Sequence, residues 1–255
     1  MFTKIYEEFY DSFHRNTKIQ RKVITKINFT YITAIAVIEE YLKQDTSEIR
    51  KFKILDYGSG AGTLDFYLAN KGYSVTGFDI SAKAVSVANS SAHLLRLNSN
   101  VKFHTSKSLS LGLRGRKYNM VLCLEVIEHV KNDIKLIRLL LNHLNKGCYL
   151  IISTPSINAP LYKLGLTYKF DKKVGHLRRY DDEELKGVLL SMPEVDTVAL
   201  LKKEGVIRNS LFVITPLSVF LRFIKGPLSL LITYIDNIFL RLFGASNIYL
   251  IIRKK

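Results

Sequence analysis

The stretch ILDYGSGAGTLDFYLA, residues 54–69, constrains the fold more than any other part of the sequence. A short apolar run ends at Gly58, Gly60 and Gly62, and a helix-forming run follows directly. Glycines at such a turn let backbone N–H groups approach a ligand closely at the N-terminus of a helix. The spacing is G-x-G-x-G, because Thr63 stands where a dinucleotide-binding fingerprint has its third glycine. The stretch therefore predicts a strand, a ligand-binding loop and a helix.

Apolar strand-like runs and helical runs alternate along the chain after this loop. Runs rich in β-branched and aromatic residues predict strands, and apolar residues three to four apart predict helices. The predicted strands are 52–57, 74–79, 101–105, 118–124, 148–154, 194–205 and 247–255, and the predicted helices are 62–71, 82–97 and 132–145. Such alternation is typical of α/β proteins. We predict a Rossmann-like, seven-stranded, mostly parallel sheet with helices on both faces.

Two segments fall outside this alternation. Residues 1–48 are predicted as an N-terminal helical extension, because apolar residues follow helical spacing there. That spacing is kept by Ile32, Ile35, Ile38 and Leu42. Residues 49–255 are predicted as the main domain, which includes an apolar helical insert at 205–246, before the last strand.

The net charge of the chain limits the classes of partner that it is expected to bind. It carries 38 Lys and Arg against 22 Asp and Glu, a formal net charge of +16. Such a charge attracts the phosphates of a nucleic acid or of an anionic membrane, although a solvated lysine-rich surface would look the same. Cys123 and Cys148 lie in apolar runs and are predicted as core residues in a reducing compartment. Without a secretory-signal pattern or an apolar run of about 18 residues, the expected location is cytoplasmic.

The stretch CLEVIEHV, residues 123–130, places three polar side chains directly after an apolar run. Glu125, Glu128 and His129 stand three and four residues apart, so they share one face if the turn is helical. Two carboxylates and an imidazole on one turn suit metal binding, acid/base chemistry or simple solvent exposure. The residues alone leave these three readings open.

Four stretches in this order carry a family resemblance: ILDYGSGAG, GFDIS, YNMVLCLEVIEHV and KGCYLIISTP. They resemble the class I S-adenosylmethionine-dependent methyltransferases, of the type 11/23 kind, over roughly residues 50–185. The resemblance implies S-adenosylmethionine as cofactor and makes 49–255 the methyltransferase domain. It implies that the methionine part lies against Asp56, Gly58, Ser59, Gly60 and Gly62. It further implies that Asp79 binds the ribose hydroxyls, that Ile80 packs on the adenine, and that Leu124 and Glu125 lie near the sulfonium.

The chain departs from this family pattern after the third strand. Such enzymes often carry an acid there that hydrogen-bonds the adenine amine, whereas this sequence has Ser106 and Lys107. Ser106 or a backbone group is therefore the expected adenine contact. A nicotinamide-binding fold and a non-catalytic cofactor-binding protein are the alternatives.

The end of the fourth strand indicates the class of methyl acceptor. It lacks the Asp/Asn-Pro-Pro-aromatic motif of enzymes that methylate exocyclic base amines. Its E-x-x-E-H resembles the ubiquinone-biosynthesis O-methyltransferases and the small-RNA 2′-O-methyltransferases, which hold a divalent cation with these residues and a later histidine. By that resemblance Glu128, His129 and His176 are the candidate catalytic residues, and Glu125 joins these three as a candidate metal ligand. The alternatives are His129 acting without a metal, and a purely structural turn.

The insert at 205–246 is rich in Leu, Ile and Phe and carries Arg222, Lys225 and Arg241. Amphipathic helices with basic flanks suit an anionic membrane surface. A cover over the active site or a homodimer contact would use the same composition.

Two classes of acceptor remain open. In the first, the acceptor is a small or lipid-linked molecule of the quinol or glycan type. In the second, it is RNA, gripped through Arg178, Arg179 and a basic cluster at residues 15–26. We favour the first class, because the chain shows no recognisable RNA-binding module and no aromatic residues interleaved with the bases.

Overall fold

The computed structural model describes residues 4–43, 48–105 and 113–255. Its strands are β1 (Lys53–Tyr57), β2 (Ser74–Asp79), β3 (Val101–Thr105), β4 (Tyr118–Leu124), β5 (Leu144–Pro155), β6 (Val195–Lys203) and β7 (Asn247–Lys254). Its helices are α1 (Lys4–Phe13), α2 (Ile32–Leu42), α3 (Thr63–Asn70), α4 (Ala82–Leu94), α5 (Asp133–His143), α6 (Pro160–Lys163), α7 (Tyr168–Val174), α8 (Asp182–Leu190), α9 (Val206–Val213), α10 (Thr215–Ser218) and α11 (Pro227–Phe243). Short 3₁₀ turns cover Ile49–Lys51, Ile127–His129 and Val219–Phe223.

The seven strands form one sheet in the order β3-β2-β1-β4-β5-β7-β6. The first five strands pair in parallel, and β7 runs antiparallel between β5 and β6. The order reverses between β1 and β4, and open α/β sheets bind ligands at the carboxyl ends of the strands at such a point. The predicted fold class is confirmed.

Both faces of the sheet are covered, because side chains alternate in direction along each strand. Ile54 faces a core with α2, α3 and α4, whereas the next residue, Leu55, faces a core with α5 and α8. Cys123 is fully buried in the second core and Cys148 is half-buried, and neither forms a disulfide with a described residue. Burial on both faces explains why the strands read as nearly continuous apolar runs.

Helix α1 lies against the start of α4. The Asp11 carboxylate accepts hydrogen bonds from Ser81 Oγ at 2.5 Å and from the Lys83 N–H at 3.1 Å. Ser81 is itself the N-cap residue of α4 and accepts the Ala84 N–H. The predicted N-terminal helical region is therefore attached directly beside the loop that follows β2. The boundary at residue 48 stays a prediction.

The insert contains α9, α10, the 219–223 turn and α11. Asp236 of α11 is fully buried and accepts the backbone N–H groups of Gly205 (2.7 Å) and Arg208 (2.9 Å), which caps α9. The buried Arg208 guanidinium donates to the Phe29 carbonyl (2.9 Å) and to Glu204 (3.2 Å). The insert is thus joined to the end of β6 and to the N-terminal region.

In the described part of the chain no single helix has the length and apolar character to cross a membrane. One strongly bent pair, 206–213 with 216–223, passes the same test of length and composition when it is taken together.

Candidate active site

The glycine loop adopts the backbone that its sequence predicts. The N–H groups of Gly58 and Ser59 both donate to the Phe78 carbonyl, at 2.7 and 3.0 Å, which joins the loop to the end of β2. Gly62 has a φ of +78°, and a Cβ there would lie 2.4 Å from the Phe103 ring. A side chain is excluded at this position both by the backbone and by the neighbouring ring. Gly58 and Gly60 of this loop line the cleft above it.

Asp79 closes β2 and is almost fully buried. One carboxylate oxygen accepts the Gly60 N–H at 2.7 Å, and the other accepts the Ser81 N–H at 2.8 Å. These bonds fix the carboxylate at the rim of the glycine loop. Each oxygen keeps a second lone pair, so the carboxylate can still accept from a ligand's hydroxyl groups.

A cleft of ≈ 700 Å³, partly open to solvent, lies over the loop. The predicted cofactor residues that line it are Gly58, Gly60, Asp79, Ile80 and Glu125. Three features of the cleft suit the three parts of one ligand. The Asp79 carboxylate suits a ribose, the apolar Ile80 suits a flat base, and the backbone of the glycine loop suits an amino-acid chain. S-adenosylmethionine fits this combination. Asp56 is buried beside β1's end, and the predicted contact Ser106 lies outside the described residues.

Two carboxylic acids are buried beneath the loop. Asp65 is inaccessible and neither of its oxygens has a hydrogen-bond donor among the described residues. Burial and the nearby Asp79 raise the pKa of Asp56 to about 7. Burial and the adjacent Asp56 raise the pKa of Asp65 as well. Because both carboxyl groups are buried and both pKa values are raised, ionising both is costly, and the pair keeps at least one proton near neutral pH.

Glu125 follows β4 in a left-handed backbone conformation, with φ of +54°. Its Oε1 accepts from Ser153 Oγ at 2.7 Å and from Asn247 Nδ2 at 3.3 Å. The residue keeps solvent contact through the cleft, but loss of hydration around the carboxyl raises its pKa to about 7. The side chain is thus directed toward β5 and β7.

Three predicted catalytic residues converge on one point. Glu128 and His129 come from the 127–129 turn, and His176 comes from the loop after α7. Glu128 Oε1 lies 3.8 Å from His129 Nε2 and 3.9 Å from His176 Nε2. Burial, with a smaller effect of Glu125, raises the pKa of Glu128. Burial and the neighbouring His176 lower the pKa of His129 to about 4.

The other nitrogen of each imidazole is already engaged. His129 Nδ1 lies 3.2 Å from the Gly175 carbonyl, and His176 Nδ1 lies 2.8 Å from Asp171 Oδ1. Because a carbonyl and an ionised carboxylate only accept hydrogen bonds, both Nδ1 atoms carry the proton. Both Nε2 lone pairs are then directed toward the Glu128 carboxylate.

This arrangement fits a cation. Three potential ligand atoms, from Glu128, His129 and His176, lie within 4.8 Å of one another. Glu128 Oε1 is buried and lacks a hydrogen-bond donor among the described residues. Three acceptors facing each other require a shared proton or a bound metal ion, and N/O ligation suits several divalent ions. The predicted fourth ligand, Glu125, is not part of this group.

Asp171 is a site residue that the sequence did not reveal. Its carboxylate accepts from His176, from Arg179 Nε (3.0 Å) and Nη2 (2.7 Å), and from Thr167 Oγ1 (2.8 Å). Burial acts to raise the pKa of Asp171, but these hydrogen bonds outweigh it and hold the pKa far below its usual range. No motif marks this residue, although an acid five positions before His176 was visible.

The same contacts bear on the RNA alternative. Arg179 is almost fully buried against Asp171, and Arg178 donates to Asp133 at 2.9 Å. The two arginines predicted to grip RNA phosphates are therefore both paired with carboxylates. The structure does not support this part of the RNA prediction.

Helix α1 and His14, which directly follows it, supply a second set of residues that the sequence did not reveal. Tyr10 and His14 line the cleft, and the Tyr10 ring meets the His129 ring edge-on at 5.7 Å. Phe9 of the same helix packs over Gly175. The helix thus spans the cleft from the Asp79 side to the histidines. The contact between Asp11 and Ser81 joins residues 70 positions apart, and no local pattern predicts it.

Comparisons with known proteins agree with this geometry. A family model described as a methyltransferase domain matches residues 10–191. A ubiquinone biosynthesis O-methyltransferase of Rickettsia typhi is 33% identical over 132 residues, which are 52% of this chain and 52% of that protein. The protein of the same name from Nitrosomonas europaea is 31% identical over 123 residues, which are 48% and 52% of the two chains. The chain therefore spans about half the length of the curated relatives it matches.

A solved structure is similar over nearly the whole chain. Magnesium protoporphyrin IX methyltransferase from Synechocystis, solved with bound S-adenosylhomocysteine, aligns with a TM-score of 0.62 over 98% of both chains. The sequence identity is 18%, so this likeness shows the shared fold.

Proposed function

Because the chain belongs to the S-adenosylmethionine-dependent methyltransferases, we propose that it transfers the cofactor's methyl group to a hydroxyl oxygen of a small acceptor. The observation that carries this proposal is the convergence of Glu128, His129 and His176 beside the cofactor cleft. An oxygen acceptor must lose a proton, and these residues offer the bases that accept it. The curated relatives, which are named as O-methyltransferases, support the same class of reaction.

The chain's own residues align the cofactor with the acceptor and remove the proton of the acceptor hydroxyl. S-adenosylmethionine supplies an electrophilic methyl group on its sulfonium. Asp79 and the glycine loop would hold the cofactor at the switch point of the sheet, in the cleft that His129 of the 127–129 turn also lines. The acceptor hydroxyl gives its proton to His176 Nε2, whose lone pair can accept it because Nδ1 donates to Asp171. The new O–CH₃ bond forms as the C–S bond breaks, and S-adenosylhomocysteine leaves as a neutral thioether.

A divalent cation fits the same three side chains. Glu128, His129 and His176 would hold it, and the ion would lower the pKa of an acceptor hydroxyl. The second hydrogen bonds of the histidines, to Gly175 and Asp171, are of the kind that orients metal-bound imidazoles. Without a metal, His176 performs the proton transfer alone.

The acceptor that we propose is a small molecule of the quinol or glycan type, in free or lipid-linked form. Apolar side chains near the histidines favour an apolar acceptor. Tyr162 and Leu164, at and just beyond the end of α6, are both exposed, and the Tyr162 ring stacks on the Arg179 guanidinium beside His176. The cytoplasmic location is proposed on the sequence alone.

The test separates cofactor binding from transfer. Calorimetry with S-adenosylhomocysteine measures the first, and S-adenosylmethionine with a labelled methyl group, incubated with catechols and hydroquinones, measures the second. We expect binding in the micromolar range, and label that is retained on oxygen in the isolated product. Absence of binding would refute the cofactor assignment, and label on nitrogen or carbon would refute the acceptor class. Transfer to RNA but not to small phenols would establish the alternative.

A further inference from the structure

Helix α11 of the insert buries polar residues against the protein and exposes apolar ones. This is the reverse of a helix on the surface of a water-soluble protein. Of its 17 residues, the two that are fully buried are Ser229 and Asp236, both polar. Thr233 lies between them at helical spacing, and its hydroxyl hydrogen-bonds the Ser229 carbonyl at 2.8 Å. A helix that packs on a protein in water normally buries its apolar stripe and exposes its polar one.

The outward face of α11 is an apolar stripe at spacings of three and four residues. The exposed fractions along it are Leu228 44%, Leu231 54%, Tyr234 67%, Ile238 45% and Leu242 70%. Side chains at such spacings stand above one another along one side of a helix. The stripe therefore runs the length of the helix and is open to the surroundings.

The rotation of α11 is fixed by specific hydrogen bonds. Asp236 caps α9 through the Gly205 and Arg208 N–H groups, so turning the helix would uncap α9 and expose this contact. Burying the apolar stripe instead would place Asp236 in solvent, and those two N–H groups would lose the carboxylate that accepts their hydrogen bonds. The outward apolar stripe is consequently a property of the folded insert.

The 219–223 turn, which precedes α11 in the chain, also exposes apolar side chains and adds positive charge. Phe220 and Phe223 are 54% and 62% exposed. Arg222, Lys225 and Arg241 are exposed beside them, whereas Asp236, the only acid in the sequence between 205 and 246, is buried. The exposed charges on this surface therefore have one sign.

We propose that the outer stripe of α11 and the 219–223 turn form a peripheral docking face for an anionic lipid bilayer. Leucine and phenylalanine side chains enter the boundary between headgroups and acyl chains, and the three bases meet lipid phosphates. A symmetric contact with a second copy fits less well, because it would place bases of one copy against bases of the other. Docking does not depend on the proposed methyl transfer.

The insert that carries this face contacts the acceptor side of the molecule through α9. Helix α9 packs on α6, whose Tyr162 stacks on Arg179 beside His176. A docked protein would thus present the histidine side of its cleft close to the bilayer. This last link rests on the proposed function, whereas the docking itself does not.

The experiment is vesicle flotation of the full chain. Vesicles of phosphatidylcholine with about one third phosphatidylglycerol are compared with pure phosphatidylcholine at low and high salt. The test variant is Leu231→Glu, and the matched control is Leu94→Glu on α4, since both leucines are 54% exposed and each exchange adds one negative charge. We expect the native chain and the control to float with anionic vesicles, and the test variant to bind at least about tenfold more weakly. Arg222→Glu with Arg241→Glu should reduce the preference for anionic lipid.

Two results would overturn the proposal. One is a native chain that does not float, and the other is a test variant that floats as well as the control. If the native chain is a dimer and the test variant is a monomer, the face is instead an interface between two copies of the chain. Calorimetry with S-adenosylhomocysteine on each variant verifies folding and reports the cofactor site separately from the membrane result.

Discussion

The Asp171 carboxylate accepts the Nδ1–H of His176 at 2.8 Å, and this bond determines which imidazole nitrogen faces the site. Two hydrogen bonds from Arg179 and one from Thr167 hold the carboxylate in place. The Nε2 lone pair of His176 is consequently free toward Glu128. Asp171 is therefore a positioning residue, which acts on the acceptor through another side chain.

Replacing Asp171 by Asn tests this relationship. An amide can keep its oxygen on Arg179 and turn an N–H toward His176, which would move the imidazole proton to Nε2. We expect the ¹⁵N NMR signals of His176 to report an Nδ1–H tautomer in the native chain and an Nε2–H tautomer in Asp171→Asn. Methyl transfer should fall by about 10- to 100-fold, while the affinity for S-adenosylhomocysteine stays within about twofold.

Asp133→Asn is the control for that experiment. Asp133 pairs with Arg178 at 2.9 Å on the neighbouring segment and has no hydrogen bond to a histidine in the described part of the chain. Its substitution should leave the His176 signals unchanged. If Asp171→Asn kept the native tautomer, the positioning role would be wrong.

Asp79→Ala should remove cofactor binding. The substitution takes away both the carboxylate available to the ribose and the acceptor of the Gly60 and Ser81 N–H groups. We expect the dissociation constant of S-adenosylhomocysteine in calorimetry to rise by at least about 100-fold. Asp196→Ala is a suitable control, because Asp196 is a solvent-exposed acid on β6 that pairs with Arg253. An affinity within about threefold of the native value would exclude a ribose role for Asp79.

The cation hypothesis predicts different results for the two glutamates of the E-x-x-E-H motif. Glu128 contributes a ligand atom to the converging group, whereas Glu125 is bound to Ser153 and Asn247. Titration with Co²⁺ or Zn²⁺ should show one site, with affinity lowered by about 100-fold in Glu128→Gln and little changed in Glu125→Gln. Equal loss in both variants would restore Glu125 as a ligand. Full activity in EDTA, with no metal bound to the native chain, would end the hypothesis.

The buried acids Asp56 and Asp65 predict a pH dependence of stability. The pKa of Asp56 is raised from 3.8 to about 7 on folding, so the folded chain keeps a proton that the unfolded chain has released. Stability therefore falls as pH rises between about 4 and 7. The pKa of the buried Asp65 is raised as well, so Asp65 adds to this decline, and Asp65→Asn should flatten it by removing that ionisation. At about pH 8 we expect it to raise the free energy of unfolding by roughly 2 kcal/mol.

Urea unfolding at several pH values measures this effect. At about pH 5 the native chain and Asp65→Asn should differ little, because the pair already holds its proton. Equal slopes of stability against pH in the two proteins would contradict a shared proton beneath the glycine loop.

Local sequence patterns were sufficient to predict the strands of the sheet and the glycine loop. The predicted strands 52–57 and 118–124 match β1 and β4 within one residue, because burial on both faces produces continuous apolar runs. Strand β5 begins four residues before the predicted 148, where the pairing between β4 and β5 shifts register. Such an irregularity depends on the neighbouring strand and has no signature in the sequence of β5 alone.

Site residues that depend on distant contacts were not predictable in this way. Glu128, His129 and His176 were named through a family resemblance, and the structure brings these three together. Asp171 became visible only when the fold placed it against His176, and Tyr10 only when α1 packed over the cleft. For the insert, the apolar composition was evident, but which face of α11 points outward is decided by the cap that Asp236 forms.

The buried Arg208 has a practical consequence for engineering this chain. Its guanidinium, stacked on the Phe29 ring at 4.3 Å, joins the insert to the Phe29 carbonyl and to Glu204. A chimaera in which residues 205–246 were replaced by another sequence would lose Arg208. Glu204 would then have no cation partner here, and a cavity would remain beside the Phe29 ring. Phe29, Glu204 and Arg208 must be transplanted together, so the insert is portable only with the distant residues that anchor it.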